Sequence, residues 1–250
     1  FNTSKSFVGR KLLHGIVYAG LYKMFGGFFT KLFYVTPERR DFLISDYGLD
    51  EKKYKMEFLP LGGISYPDEK YKEIRESERR KLGLRDGDVA FVHSGKLEPR
   101  KHTLDDIKAF IDADAPNAKL FLAGSVTNSI RAEFEKLVES SDKVEYLGWK
   151  SPDELNALLC GCDVLLQTGS QSVIFEQGIC FAMAAILDRA DNNKFLLSEG
   201  NGIFAETHDE IVAAIRKLSS SPETLAEMKL KSKKFSEREL LYSSLVKKFY

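Results

Sequence analysis

Cysteine is scarce in this sequence, and acidic residues are missing from its start. Only Cys160, Cys162 and Cys180 occur in 250 residues. Three is too few and too odd a number for a disulfide framework, so a reducing cytoplasm is the simple inference. The Cys160-x-Cys162 pair has no matching ligand pair elsewhere, which reads as buried thiols and not as a zinc site. No signal-peptide pattern is visible, and no uncharged apolar run nears the roughly 20 residues needed to cross a bilayer. Net charge is lacking too: Lys+Arg and Asp+Glu are equal at 37 each. That balance excludes a global field that would recruit nucleic acid or acidic polymers. What is present, 43% apolar and 30% charged residues, suffices for one large α/β domain or two unequal ones.

Residues 1–37 contain Lys5, Arg10, Lys11, Lys23 and Lys31 without a single acid. Between the cations, Leu13, Ile16, Val17, Leu21 and Met24 recur at helical spacing, ended by Gly26-Gly27. Two readings stay open. The first is a core helix of a partner domain; the second is a basic amphipathic helix touching anionic lipid, peripheral at the inner membrane face. A short strand follows at 32–35, then a Thr36 N-cap with Pro37 at the first helical position. The helix over 38–47, with Phe42, Leu43 and Tyr47 inward, stops at Gly48. A second strand at 55–59 leads into the connector Pro60-Leu61-Gly62-Gly63. Two strands cannot make a complete parallel sheet, so residues 1–65 read as the end of a domain, plus its linker.

A helix near 70–81 and a turn at Asp86-Gly87 precede a regular alternation. Strands are expected at 89–93, 118–123, 143–147, 163–167, 184–187 and 202–204. Helices are expected between them, near 102–113, 127–139, 152–160, 174–182, 191–198 and 208–218. In the first of these helices Leu104, Ile107, Phe110 and Ile111 form one apolar stripe. Such spacing predicts βαβ units: an α/β, Rossmann-like parallel sheet with helices on both faces, over residues 66–236. Two more helices are expected at 222–236 and 238–250, the last packing back on the N-terminal part.

Ligands of such sheets bind at the carboxyl ends of the strands. Those ends carry Ser94-Gly95, Gly124-Ser125, Gly148-Trp149 and Thr168-Gly169-Ser170. At the first of them an apolar run stops at what reads as a small-residue turn, Ser94-Gly95. Lys96, Arg100 and Lys101 follow, with Pro99 stiffening the loop so that Lys96 and Lys101 converge on one diphosphate; the bland alternative is a solvated loop. At the fourth, a polar loop, Thr168 to Ser172, opens a helix whose amides face an anion or a sugar hydroxyl. Glu176, one turn in, either accepts from a ribose diol or closes a capping box. His93 reads as a packed, hydrogen-bonded histidine, and His102 as an ordinary first-turn residue. Trp149 either flanks a base or packs.

Taken together these residues resemble glycosyltransferase family 4, retaining enzymes of the GT-B fold. Ser94-Gly95-Lys96-Leu97-Glu98-Pro99-Arg100-Lys101 resembles that family's phosphate loop, and Leu120-Phe121-Leu122-Ala123-Gly124 its second nucleotide-domain strand. Val144 to Trp149 is similar to the strand whose following loop meets the base. Gly169 to Glu176 is similar to the donor loop, and Asn201-Gly202-Ile203-Phe204 to a late Asn-Gly-Leu segment. The resemblance spans about 89–218 and reaches more weakly to Phe33–Thr36 and Leu59–Gly62. It implies that residues 66–236 are the nucleotide-sugar domain and 1–65 part of the acceptor-side domain. It implies that Lys96 and Lys101 hold the diphosphate of a donor such as a UDP- or GDP-sugar, and that Glu176 holds the ribose. Ser94, Gly95, Gly148, Trp149, Thr168, Gly169, Ser170, Gln171 and Ser172 would complete the donor site. No metal or other cofactor is implied. Two residues depart from the family pattern. Thr168 stands where the family has the first of two glutamates, and Lys96 replaces an arginine, losing a bidentate fork.

The function so implied is retaining transfer of a sugar from a nucleotide diphosphate to a glycan or lipid-linked acceptor, in building a cell-surface polysaccharide. The alternative of a different class is a non-catalytic nucleotide-sugar binding module or partner subunit, motivated by Thr168. A third is an unrelated phosphoanion-binding α/β protein.

Overall fold

The computed structural model describes residues 9–248, and the chain divides into two compact units between Leu61 and Gly62. In the first unit a π-type segment, Gly9–Tyr18, runs into α1 (Ala19–Phe25). Two short parallel strands follow, β1 (Leu32–Tyr34) and β2 (Met56–Phe58), with Leu32 opposite Met56. Between them lie α2 (Pro37–Tyr47) and α3 (Glu51–Tyr54). The Thr36 hydroxyl accepts from Arg39 N–H, and Gly48 closes α2 in the left-handed region at φ 63°, the expected cap chemistry at both ends. The local core is Ala19, Tyr47, Leu49 and Tyr54. Leu13, Ile16, Val17, Leu21 and Met24 are not in it. They are exposed, Ile16 at 65% and Met24 at 70%, so the described residues do not cover that stripe. Helical spacing shows that residues share a face; it does not show what covers the face.

The second unit opens with α4 (Asp68–Lys81) and then alternates: β3 (Val89–Leu97), α5 (Thr103–Ala113), β4 (Ala118–Val126), α6 (Arg131–Glu139), β5 (Val144–Tyr146), α7 (Pro152–Gly161) and β6 (Val164–Gln167). It continues through α8 (Val173–Cys180), β7 (Ala184–Leu187), α9 (Asp191–Leu196), β8 (Gly202–Phe204), α10 (His208–Ser220), α11 (Pro222–Glu239) and α12 (Tyr242–Leu245). All six strands are parallel, in the order β5-β4-β3-β6-β7-β8. Alternate residues feed opposite faces. Phe91, Leu120, Leu122, Leu166 and Ile186 meet Ile107 and Phe110 of α5 and Ile211 and Ile215 of α10. Val92, Phe121, Leu165 and Leu187 meet Leu158 of α7, Phe175 and Ile179 of α8 and Phe235 of α11. A parallel sheet buried on both faces is the expected Rossmann-like architecture.

Asp163, at the foot of β6, draws three cations onto this sheet. Its oxygens lie 2.5 Å from Arg75 Nη2, 3.0 Å from Arg79 Nη1 and 2.6 Å from Lys229 Nζ, and it accepts from Ala90 N–H at 3.0 Å. Arg75 also donates to Cys160 O and Cys162 O, at and just past the end of α7. One carboxylate therefore ties α4, α7 and α11 to the sheet. The three cysteines are buried and unpaired, and burial pushes the Cys160 and Cys180 thiols up to about 12. That makes them packing residues.

Two expectations are corrected. Ser94-Gly95 is not a turn: β3 runs unbroken to Leu97, with Gly95 opposite Gly124 of β4. The glycines are there for close approach, since a Cβ at Gly124 (φ 142°) would lie 1.7 Å from Gly95 O. At the other end, one helix runs from Pro222 to Glu239 in place of a break near 237, and among the described residues only Tyr242–Leu245 is α-helical after it. Leu240 is fully buried there, and Leu241 pairs with Gly63 in an isolated parallel bridge, which turns the chain aside. The expected helix beyond Lys248 falls outside the described residues.

Candidate functional site

Strand order reverses between β3 and β6, and in sheets of this kind the ligand crevice lies at the carboxyl ends of the strands near that switch point. A cleft of about 460 Å³ opens on the β3 side, lined by Gly95, Lys96, Gly124, Ser125, Trp149 and Lys150 among others. Its floor is the glycine pair. Gly124 N–H donates to Gly148 O at 2.9 Å, and Tyr146 Oη donates to Gly124 O at 2.8 Å. Gly148 takes φ 72°, a turn that sets Trp149 on the rim, 70% exposed. An indole left that open is not held there by packing.

On the other side of the crevice, the loop Thr168–Ser172 is bound to the loop after β3. Ser170 N–H donates to Arg100 O at 2.8 Å. The Lys101 ammonium donates to Ser170 O and Gln171 O at 2.5 and 2.8 Å. Gly169 lies flat on this contact, for a Cβ there would come within 2.3 Å of the Lys101 carbonyl carbon. Burial lowers the Lys101 pKa, with Glu98 acting against it. Lys96 is different: its side chain is 66% exposed and its ammonium pairs with Glu98 at 3.2 Å. The two lysines thus have separate partners, one in the donor loop and one at the rim.

Ser172 caps α8 without a side-chain hydrogen bond, so the first-turn amides of that helix are not claimed by a capping side chain. The capping-box alternative for Glu176 is excluded, because Phe175 occupies the position a capping glutamate needs. Glu176 is instead buried, and its Oε2 accepts from the Gly62 backbone N–H. Next to it, Gln177 grips Ile64 through both amide atoms, at 3.1 and 2.9 Å. His93 is fully buried beside Asp106 and Thr103, as a packed histidine would be. His102 closes the loop in the left-handed region at φ 53° before α5 begins. It is not an ordinary first-turn residue, since the tight step from Pro99–Lys101 into α5 needs positive φ.

Asp106, Tyr146 and Gln177 hold the backbone of Thr168, Gly124 and Ile64 at this end of the sheet, and no role is expected for them from the sequence. Only Asp106 left a signal. Thr103, Asp106, Ile107 and Phe110 stand at i, i+3, i+4 and i+7, which puts a carboxyl on the apolar side of α5. Thr168 N–H and Oγ1–H both donate to that carboxyl. Ser94 Oγ, inside β3, and Gln167 Oε1, at the end of β6, are buried without a hydrogen-bond partner. Polar atoms of that kind call for an explanation, and a bound molecule is one.

Chemically, this end of the sheet offers backbone amides, one rim ammonium, one loop ammonium and a buried carboxyl near a cleft with an open aromatic. The family model for glycosyl transferases group 1 matches residues 74–235, from α4 to α11. The chain belongs to this family. No curated protein matches the sequence significantly. Solved glycosyltransferases share its fold. WaaG, a glycosyltransferase involved in lipopolysaccharide biosynthesis, is 18% identical over 99% of this chain and 72% of its own, with TM-score 0.68. HepE from Anabaena, solved in complex with UDP, is 13% identical over 88% of this chain and 62% of its own, with TM-score 0.73. Sucrose-phosphate synthase from Thermosynechococcus elongatus is 14% identical over 87% and 56%, with TM-score 0.67. The chain therefore spans between about half and three quarters of the length of these structures. Among the described residues no helix is long and apolar enough to cross a membrane.

Proposed function

We propose that this group 1 glycosyltransferase binds a nucleotide sugar across the crevice and transfers its sugar, with retention and without a metal, to a glycan or lipid-linked acceptor. The observation that carries the reading is the pairing of the glycine-floored cleft with a loop, Thr168–Ser172, held beside it by Lys101. The base lies against Gly148 and Trp149, and the ribose shares the Glu176 carboxylate with Gly62 N–H, since a carboxylate has acceptor capacity for both. The diphosphate takes Lys96, the remaining Lys101 hydrogen and the amides of Gly169, Gln171 and Ser172, since Ser170 N–H already serves Arg100 O. These donors stabilise the charge that grows on the leaving diphosphate. The acceptor attacks the face the diphosphate vacates, with a diphosphate oxygen as base. Residues 1–65 serve the acceptor side. HepE has been solved with UDP and with UDP-glucose, which makes uridine the first base to try.

A thermal-shift panel of UDP, GDP, ADP and their sugars tests this, because a specific ligand raises apparent stability by mass action. One nucleoside diphosphate is expected to stand out. Lys96→Ala is expected to weaken it about tenfold, the size of one charge-assisted hydrogen bond at an exposed rim. A flat panel, or unchanged affinity in Lys96→Ala, would count against the site. Free nucleotide released from donor and acceptor separates the enzyme from a binding module, which would bind and release nothing.

Exposure of Leu12, Ile16, Met24 and Phe28, at 58, 65, 70 and 83%, in a stretch without acids favours a second element. We propose that this stretch makes peripheral contact with anionic lipid. In liposome co-sedimentation the chain is expected to pellet with vesicles containing anionic lipid at low salt and to be released at high salt. Equal recovery with purely zwitterionic vesicles would sink the idea.

A further inference from the structure

Asp106 has no exposed surface, yet it lies on the side of α5 that packs against the sheet. Its carboxyl collects three donors: Thr168 Oγ1–H at 2.6 Å, Thr168 N–H at 3.1 Å and His93 Nδ1 at 3.0 Å. Nδ1 also faces Leu166 O at 3.0 Å. Both neighbours only accept, so this nitrogen carries the hydrogen. Its other ring nitrogen lies 3.1 Å from Thr103 Oγ1, which fixes the ring from behind. A carboxyl in this place is costly to bury and needs all of these partners to be tolerated. Ile107, Phe110 and Leu166 surround it in the same core layer, where an apolar side chain would pack without such partners. What the carboxyl adds is a fixed position for Thr168, the first residue of the donor loop.

Thr168 is itself 1% exposed, so its hydroxyl is spent inward and does not reach a sugar. On this side the sugar meets the loop that follows, Gly169 to Ser172, where Gly169 offers backbone alone. That loop is anchored from outside by Lys101 and from inside by Asp106. We propose that Asp106 is a positioning residue for the sugar half of the donor site, acting through Thr168 on the amides of the loop. The proposal rests on the nucleotide-sugar reading. It extends that reading by locating sugar recognition in backbone groups whose placement depends on one buried carboxyl.

The test compares affinities for UDP, GDP and ADP with those for their glucose conjugates, in the wild-type chain, Asp106→Asn, Thr168→Val, the double variant and Thr168→Ser. An asparagine keeps the shape but removes the charge, and its N–H₂ can meet Thr168 Oγ1 only as a donor, so the charge-assisted bond from the Thr168 hydroxyl is lost. Asp106→Asn is expected to weaken the preferred sugar nucleotide about tenfold while the bare diphosphate changes less than about threefold. Thr168→Val should behave alike, the double variant should add little to either, and Thr168→Ser should restore the wild-type ratio. A purely structural role would instead shift both ligands together or neither. An unchanged ratio in Asp106→Asn and in Thr168→Val, with wild-type binding intact, overturns the positioning role alone. If Asp106→Asn does not fold, the Thr168→Val and Thr168→Ser pair decides on the same ratio. A wild-type chain that binds none of the diphosphates or conjugates overturns the nucleotide-sugar reading and this proposal together.

Discussion

Lys101→Ala is expected to weaken sugar-nucleotide binding about 100-fold, more than any other single change at the crevice. The ammonium makes two charge-assisted hydrogen bonds, to Ser170 O and Gln171 O, and such bonds are each worth roughly 1.5–3 kcal/mol. Half-exposed carbonyls recover part of that from water, which leaves about 3 kcal/mol, or about two powers of ten. The loss has two origins, an untethered loop and one missing donor to the diphosphate. Lys101→Arg restores charge but not shape, because a planar fork does not fit two successive carbonyls and a third ligand as a tetrahedral ammonium does. It should fall between wild type and alanine. Titration calorimetry with the preferred sugar nucleotide measures all three, and near-equal affinities would remove Lys101 from the site. Burial lowers the Lys101 pKa, so the charge assistance is lost as pH rises through a value below the ordinary lysine figure of about 10.4.

Asp163→Asn is expected to cost about 3–5 kcal/mol of stability, the range for breaking a buried ion pair from one side. The asparagine would leave Arg75, Arg79 and Lys229 crowded and uncompensated around the foot of β6. Urea unfolding should show a lower midpoint with unchanged slope, and a loss under about 1 kcal/mol would contradict the assignment. The pH dependence has a definite sign. Burial alone would raise the Asp163 pKa, but Lys229 and Arg75 hold it well below the usual carboxylate range. A depressed native value means that the stabilisation is complete above the unfolded value of about 3.9 and is lost as pH falls below it. The wild type should therefore weaken on acidification through pH 4 by more than Asp163→Asn does.

Much of the fold was legible in the sequence because its signals are local. Each strand from β3 to β8 was bounded by turn residues, and Thr36, Pro37 and Gly48 framed α2 by cap chemistry that acts within a few residues. The order and spacing of Ser94–Lys101, Val144–Trp149 and Gly169–Glu176 likewise carried the family, since loops after successive parallel strands must share one edge of the sheet. Exposure of the Leu13–Met24 stripe was not legible, because periodicity is blind to what stands opposite. The strand character of Ser94-Gly95 was hidden as well, since a glycine that permits a turn also permits two backbones to touch.

At the crevice, the crowded phosphate loop resolved only in three dimensions. Lys96 and Lys101, five residues apart, read as one pair of cations; the tertiary structure sends one to Glu98 and the other to the carbonyls of a loop about 70 residues away. Thr168 read as a lost carboxylate, and the structure supplies a carboxyl beneath it from Asp106, on a different helix. By itself the sequence determined the elements, the edge at which they present small and basic residues, and the family. Only the tertiary structure decided which donor meets which acceptor, because hydrogen bonds are set by distances of about 3 Å between atoms that the chain brings together from far apart.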